Sequence, residues 1–132
     1  MTEIRLEQVS YAYGQERILE DINLQVTSGE VVSILGPSGV GKTTLFNLIA
    51  GILEVQSGRI VLDGEENPQG RVSYMLQKDL LLEHKTVLGN IILPLLIQKV
   101  DKAEAVARAD DILATFQLTA VRDKYPHELS GG

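Results

Sequence analysis

The chain has 132 residues, 44% of them apolar and 23% charged, a balance that describes a globular protein and excludes a wholly disordered one. Its formal net charge of -6 offers no basic footprint for duplex nucleic acid or an anionic lipid surface, so any phosphate has to be held by local geometry. The absence of cysteine excludes disulfides, cysteine metal sites and thiol nucleophiles together, and suits a reducing compartment.

The first residues carry charge at Glu3, Arg5 and Glu7 with no unbroken apolar run, which does not read as a signal peptide. Ile4, Leu6 and Val9 alternate with polar residues and predict a half-buried strand, antiparallel and near a sheet edge; Ile22 to Val26 repeats the alternation. Ser28-Gly29-Glu30 predicts a turn, and Val31 to Leu35 is a β-rich apolar run of the kind buried on both faces. From Lys42 to Ala50, Leu45, Leu48 and Ile49 recur at helical spacing, and Gly51 is placed to end that helix.

Gly58 to Gly64 and Arg71 to Leu76 predict two further strands. The apolar stretch Thr86 to Gln98 falls well short of the roughly 20 residues of a membrane span and contains Asn90 and Pro94. Asp101 and Glu104 resemble a capping box, after which Val106, Ala109, Leu113 and Phe116 share one helical face and Glu104 pairs with Arg108 outside it. Strands before Gln77 and helices after it predict a subdomain boundary near residues 77–85: an α/β core over 1–80 and a helical subdomain over 81–132.

Gly36 to Thr44, GPSGVGKTT, matches G-x-x-x-x-G-K-[ST] between a buried-type strand and an amphipathic helix. Glycines let successive amides of Gly36, Pro37, Ser38, Gly39, Val40 and Gly41 turn around a phosphate wherever an N–H is present, and the helix that follows aims its positive end at the same point. Lys42 is placed to bridge the β- and γ-phosphates of a nucleotide, Thr43 to give its hydroxyl to Mg²⁺, and Thr44 to add an amide. Hydrolysis also needs an acidic residue after an apolar strand; Asp63 is the clear candidate, although Asp63-Gly64 reads more naturally as a turn.

Taken together, Ser28–Leu53, Gly70–Leu82 and His127–Gly132 resemble the ATP-binding subunit of an ABC transporter, and the resemblance runs from residue 3 to the last residue. It implies an α/β P-loop NTPase fold of the ABC ATPase type, a mixed sheet with antiparallel N-terminal strands plus a helical subdomain. By position, Tyr13 looks like the residue that stacks on adenine, with Tyr11 the competitor; Gln77 looks like the glutamine that senses Mg²⁺ and γ-phosphate; Ser130, Gly131 and Gly132 look like the start of the LSGGQ signature, which acts on nucleotide held by a second subunit.

The resemblance thus implies ATP and Mg²⁺ as cofactors, and as partners a second ATP-binding subunit, in a homodimer, and transmembrane permease subunits, with a solute-binding protein engaged indirectly and no nucleic acid. The expected location is the cytoplasmic face of the cell membrane. Gly70 to Ile91 resembles most the importers of the nitrate, sulfonate and taurine type, including relatives that import thiamine precursors, although Glu83-His84 replaces the usual Pro-Trp and Val55 a usual proline. In the family an acidic Mg²⁺ strand, a catalytic glutamate and a late histidine follow the signature. The expectation is therefore ATP binding without hydrolysis by this chain alone, an incomplete core, and an unpaired strand edge that promotes self-association or marginal stability. A non-hydrolysing nucleotide switch and a soluble, non-transport ABC ATPase are the alternatives. His84 and His127 have no second ligand nearby in sequence and are assigned to neither metal nor catalysis.

Overall fold

A computed structural model describes residues 2–67 and 69–130. Gly131 and Gly132 of the expected signature lie outside the described residues. The chain divides between Met75 and Leu76 into two compact units.

The first unit is built on an antiparallel sheet of order β2-β1-β3-β4, from β1 (Glu3–Tyr13), β2 (Glu16–Thr27), β3 (Ser57–Leu62) and β4 (Glu65–Glu66). β1 therefore lies inside the sheet, not near its edge as its alternation suggested. A two-residue turn at Gly14, φ 59°, closes the β1–β2 hairpin, which pairs Leu6 with Leu24 and Tyr11 with Leu19. The same strand pairs Leu6 with Ile60 of β3 before an irregularity at Gln8, φ 51°, opens the ladder. Gly58 crosses that irregularity so closely that a Cβ would sit 2.3 Å from the Gln8 carbonyl oxygen; no other residue fits there.

Inward-facing Leu6, Val9, Leu19 and Ile60 form a core with Leu45 and Leu48 of α1 (Lys42–Ile49), so the helix packs on one face of the sheet. Phe46 lies on the outer side of α1 and is exposed. The helix ends as its sequence implied, with Gly51 at φ 73° and its amide on the Leu48 carbonyl.

Two expected strands do not form. Val31 to Leu35 joins no strand ladder: Val31 is 94% and Leu35 91% exposed, and only Ile34 of the five packs against the core. Arg71 to Leu76 is likewise outside any ladder. The physical reason is the same for both. A strand exists through its neighbour's backbone groups, and among the described residues no segment pairs with either run. Among the described residues only the antiparallel part of the expected mixed sheet is therefore present.

The second unit pairs α2 (Val87–Ile97) with α3 (Lys102–Thr115). Ile92 packs on Ala105 and Ala109, whose small side chains let the helices approach, with Leu88, Ile91, Leu95, Val100 and Val106 around them. The buried face of α3 is Ala105, Ala109 and Leu113; Phe116 is 69% exposed because the helix has already ended at Thr115. Asp101 caps α3 by accepting from Ala103 N–H at 2.9 Å, but Glu104 turns outward to Arg108, so the reciprocal half of a capping box is absent. Among the described residues no helix is long and apolar enough to cross a membrane.

Candidate functional site

Residues 36–44 form a tight turn that opens directly into α1. Gly39 at φ 82° and Gly41 at φ 107° adopt backbone angles that L-residues avoid. Gly41 is also backed by the start of β2: a Cβ there would lie 2.8 Å from Ile18 Cγ2 and 3.1 Å from Leu19 Cδ2. On the inner side, a Cβ on Gly36 would point at Val40 Cγ1, 3.0 Å away, and at Lys42 Nζ, 3.8 Å away. Glycine at these positions keeps the hollow open and seats the loop on the sheet.

The loop is rich in unpaired donors. Among the described residues the amides of Ser38, Gly39, Gly41, Lys42, Thr43 and Thr44 meet no backbone carbonyl, whereas Val40 N–H donates to the Pro37 carbonyl at 3.4 Å and Leu45 N–H to Gly41 at 3.0 Å. The Lys42 ammonium folds back over the loop and donates to the carbonyls of Gly36 at 2.5 Å and Pro37 at 2.6 Å. Thr43 is exposed at the helix start while Thr44 is buried beneath it. No acidic side chain occupies the first turn of α1 to compete for the helix's positive end. Unpaired amides, a helix N-terminus and one cation make a nest for an anion of several oxygens.

Tyr13, 50% exposed, closes β1 at the hairpin turn. Its ring meets Tyr11 edge to face, centroids 5.1 Å apart, while Tyr11 packs against the core. Tyr11 pairs with Leu19, the residue that backs Gly41, so the hairpin end bearing Tyr13 is the end against which the loop rests. Of the two tyrosines, Tyr13 is the more exposed. Asp63 sits in a turn at φ 51° followed by Gly64 at φ 84°, and its Oδ1 accepts from Glu3 N–H at 2.8 Å. That carboxylate closes the sheet, as the turn reading held.

Gln77 and Ser130 belong to the second unit, both exposed, Gln77 in a bend and Ser130 just beyond the short helical turn Pro126–Glu128. A polar network that the sequence patterns barely signalled lies along the chain between them. Thr86 caps α2, Asn90 bonds to the turn before it, and Arg122 grips Asp110 of α3 at 2.6 and 3.3 Å. The hydrogen bond from Arg122 holds the Asp110 carboxyl below its ordinary range and in return raises the guanidinium. The only advance signal was a Thr and an Asn flanking an apolar helix start. No group of three or more His, Cys, Asp or Glu side chains able to hold a metal occurs among the described residues.

An antiparallel sheet, a glycine-lined donor nest and a helix springing from it define a P-loop NTPase of the ATP-binding-cassette type. The family model described as ABC transporter matches residues 19–132, and the chain belongs to that family. It is 40% identical over 98% of its length to the spermidine/putrescine import ATP-binding protein PotA of Aggregatibacter actinomycetemcomitans, covering 36% of that protein. It is also 40% identical over 98% of its length to the sulfate/thiosulfate import ATP-binding protein CysA of Synechococcus elongatus, covering 39% of it.

The chain thus spans well under half of these curated relatives. Among solved structures, the ATP-binding cassette MJ1267 of an ABC transporter superposes with a TM-score of 0.85 at 29% identity, over 99% of this chain and 60% of that one. The cassette MJ0796, solved as a dimer in a post-hydrolysis state bound to ADP and Pi, gives 0.78 at 28% identity, over 97% and 63%.

Proposed function

We propose that this chain is the nucleotide-binding portion of an ABC importer's ATP-binding subunit, and that Gly36 to Thr44 holds the phosphates of Mg-ATP. The observation that carries the proposal is the donor nest: amides of Ser38, Gly39 and Gly41–Thr44 with no backbone acceptor, beneath an ammonium resting on two loop carbonyls. The residues fit the group. Gly36 leaves open the space a Cβ would fill, and every side chain at the hollow is neutral or cationic.

In this reading Lys42 exchanges two carbonyl contacts for phosphate oxygens, a cheap movement because the ammonium is already at the mouth. The exposed Thr43 hydroxyl would supply an oxygen suited to Mg²⁺, Gln77 would take the Mg²⁺-sensing role that the family resemblance implies, and Tyr13 would stack on the base. When bound, Mg²⁺ neutralises phosphate charge. Ser130 and the glycines after it contact nucleotide held by a second subunit, in a homodimer, and permease subunits receive the resulting motion at the cytoplasmic face of the membrane.

MJ0796 supports this reading as a cassette found dimeric with ADP and Pi. The expected nitrate, sulfonate and taurine type rests on Gly70 to Ile91 alone. The relatives named above import spermidine/putrescine and sulfate/thiosulfate, so no solute class is proposed.

A second reading, a nucleotide switch without turnover, is favoured by one observation: Asp63, the acidic candidate at a strand end, is committed to Glu3 N–H. Calorimetry and steady-state turnover test the nucleotide site that both readings share. We expect Mg-ATP to bind this chain weakly, Lys42→Ala to bind it more weakly still, and hydrolysis to stay at background. Hydrolysis above the Lys42→Ala control would show that the chain carries its own catalytic carboxylate. Equal heats from wild type and Lys42→Ala would refute the phosphate nest.

A further inference from the structure

The part-buried side chain of Asn90, in the first turns of α2, is used on all sides. Its Oδ1 accepts from Leu82 N–H at 2.7 Å, and its Nδ2 donates to the carbonyls of Thr86 at 3.0 Å and of Leu82 and Lys85, both at 3.2 Å. The turn it grips has little else: within residues 82–85 the single backbone bond is Lys85 N–H to Leu82 at 2.9 Å. The same helical turn holds a second stretch of chain. Of the amides that a helix start leaves without intrahelical partners, Val87 donates to Lys124 at 2.8 Å and Leu88 to Arg122 at 2.9 Å, while Gly89 is met by the Thr86 hydroxyl at 3.1 Å.

We infer that Asn90 is a positioning residue: it clamps the turn that follows Gln77 onto the helix start that also holds residues 122–124 ahead of Ser130, so that the two segments move as one body. The inference rests on the roles proposed above for Gln77 and Ser130. Only a side chain with one acceptor and two donors at this reach does the work, since aspartate lacks the donors, alanine lacks both, and glutamine is one methylene too long.

Hydrogen exchange followed by mass spectrometry on the full chain, without nucleotide, tests the clamp. Asn90→Ala, and the milder Asn90→Asp that keeps an acceptor for Leu82, are expected to speed exchange roughly fivefold at Leu82 and also within residues 121–130. Arg122→Gln, acting from the other end, is expected to speed exchange in residues 82–85, because coupling is reciprocal.

Purely local effects overturn the inference: Asn90 variants that alter only 82–90, or Arg122→Gln that alters only its own surroundings. Should Asn90→Ala fail to fold, the other two variants decide. In the assembled transporter, Asn90→Ala is expected to lower kcat at least about tenfold with KM for ATP changed less than about twofold. A raised KM with kcat intact overturns a positioning role. Failure of the wild type to bind nucleotide would sink the proposed function instead, and the exchange measurement would still decide the clamp.

Discussion

Alanine at Gly41 tests whether the phosphate loop is seated on the sheet as described. The added Cβ meets two costs. At φ 107° the backbone lies where an L-residue is strained, worth about 1–3 kcal/mol. The methyl also lands 2.8 Å from Ile18 Cγ2, 3.1 Å from Leu19 Cδ2 and 3.2 Å from the Ile18 carbonyl oxygen, an overpacking that costs about another 1–3 kcal/mol. Gly39 provides the internal comparison, since it too has positive φ, 82°, but a Cβ there meets nothing within 4 Å.

Gly39→Ala should therefore cost the strain alone, and Gly41→Ala roughly 2–6 kcal/mol, a large share of a small domain's stability. Urea unfolding of the two variants beside wild type, with slopes compared, supplies both numbers. Equal losses at the two positions, or a neutral Gly41→Ala, would show that the loop does not rest on Ile18 and Leu19.

Asp63→Ala should destabilise by about 1–2 kcal/mol through loss of the bond from Glu3 N–H while leaving nucleotide affinity unchanged; a loss of Mg²⁺-dependent binding would restore Asp63 as a metal ligand. Because the hydrogen bond from Arg122 depresses the Asp110 pKa, the pair's contribution is complete above the ordinary carboxylate range and disappears as pH falls through the folded value. Stability measured against pH should show that acid-side loss flattened in Arg122→Gln, and an unaltered profile would contradict the assignment. Lysine at both Val31 and Leu35 should suppress concentration-dependent association in sedimentation while changing stability by less than about 0.5 kcal/mol per site. A wild-type chain that stays monomeric at every concentration would remove the premise of an exposed, unpaired edge.

What the sequence disclosed was local. The two alternating N-terminal strands, the glycine-bounded α1 and the Asp63-Gly64 turn follow from alternation, helical spacing and turn chemistry, all of which act within a few residues. The glycines of the phosphate loop were legible because the motif states a backbone requirement. What Gly41 touches was not, since Ile18 and Leu19 lie over twenty positions earlier. Val31 to Leu35 and Arg71 to Leu76 carry the composition of strands, but composition does not supply a neighbour, and without one their amides stay unpaired.

β1 looked like an edge because its outer face is polar. Its two ladders run through the backbone, where side-chain pattern gives no sign of them. Asn90 escaped for a related reason: a polar residue inside an apolar helix marks itself as unusual without naming the carbonyls it will serve.

Amide chemical shifts through a titration with Mg-ADP address the nest residue by residue. The account predicts large, saturable shifts at Ser38, Gly39, Gly41, Lys42, Thr43 and Thr44, weakened throughout by Lys42→Ala. Shifts absent from these amides, or equally large in the Lys42→Ala chain, would contradict it.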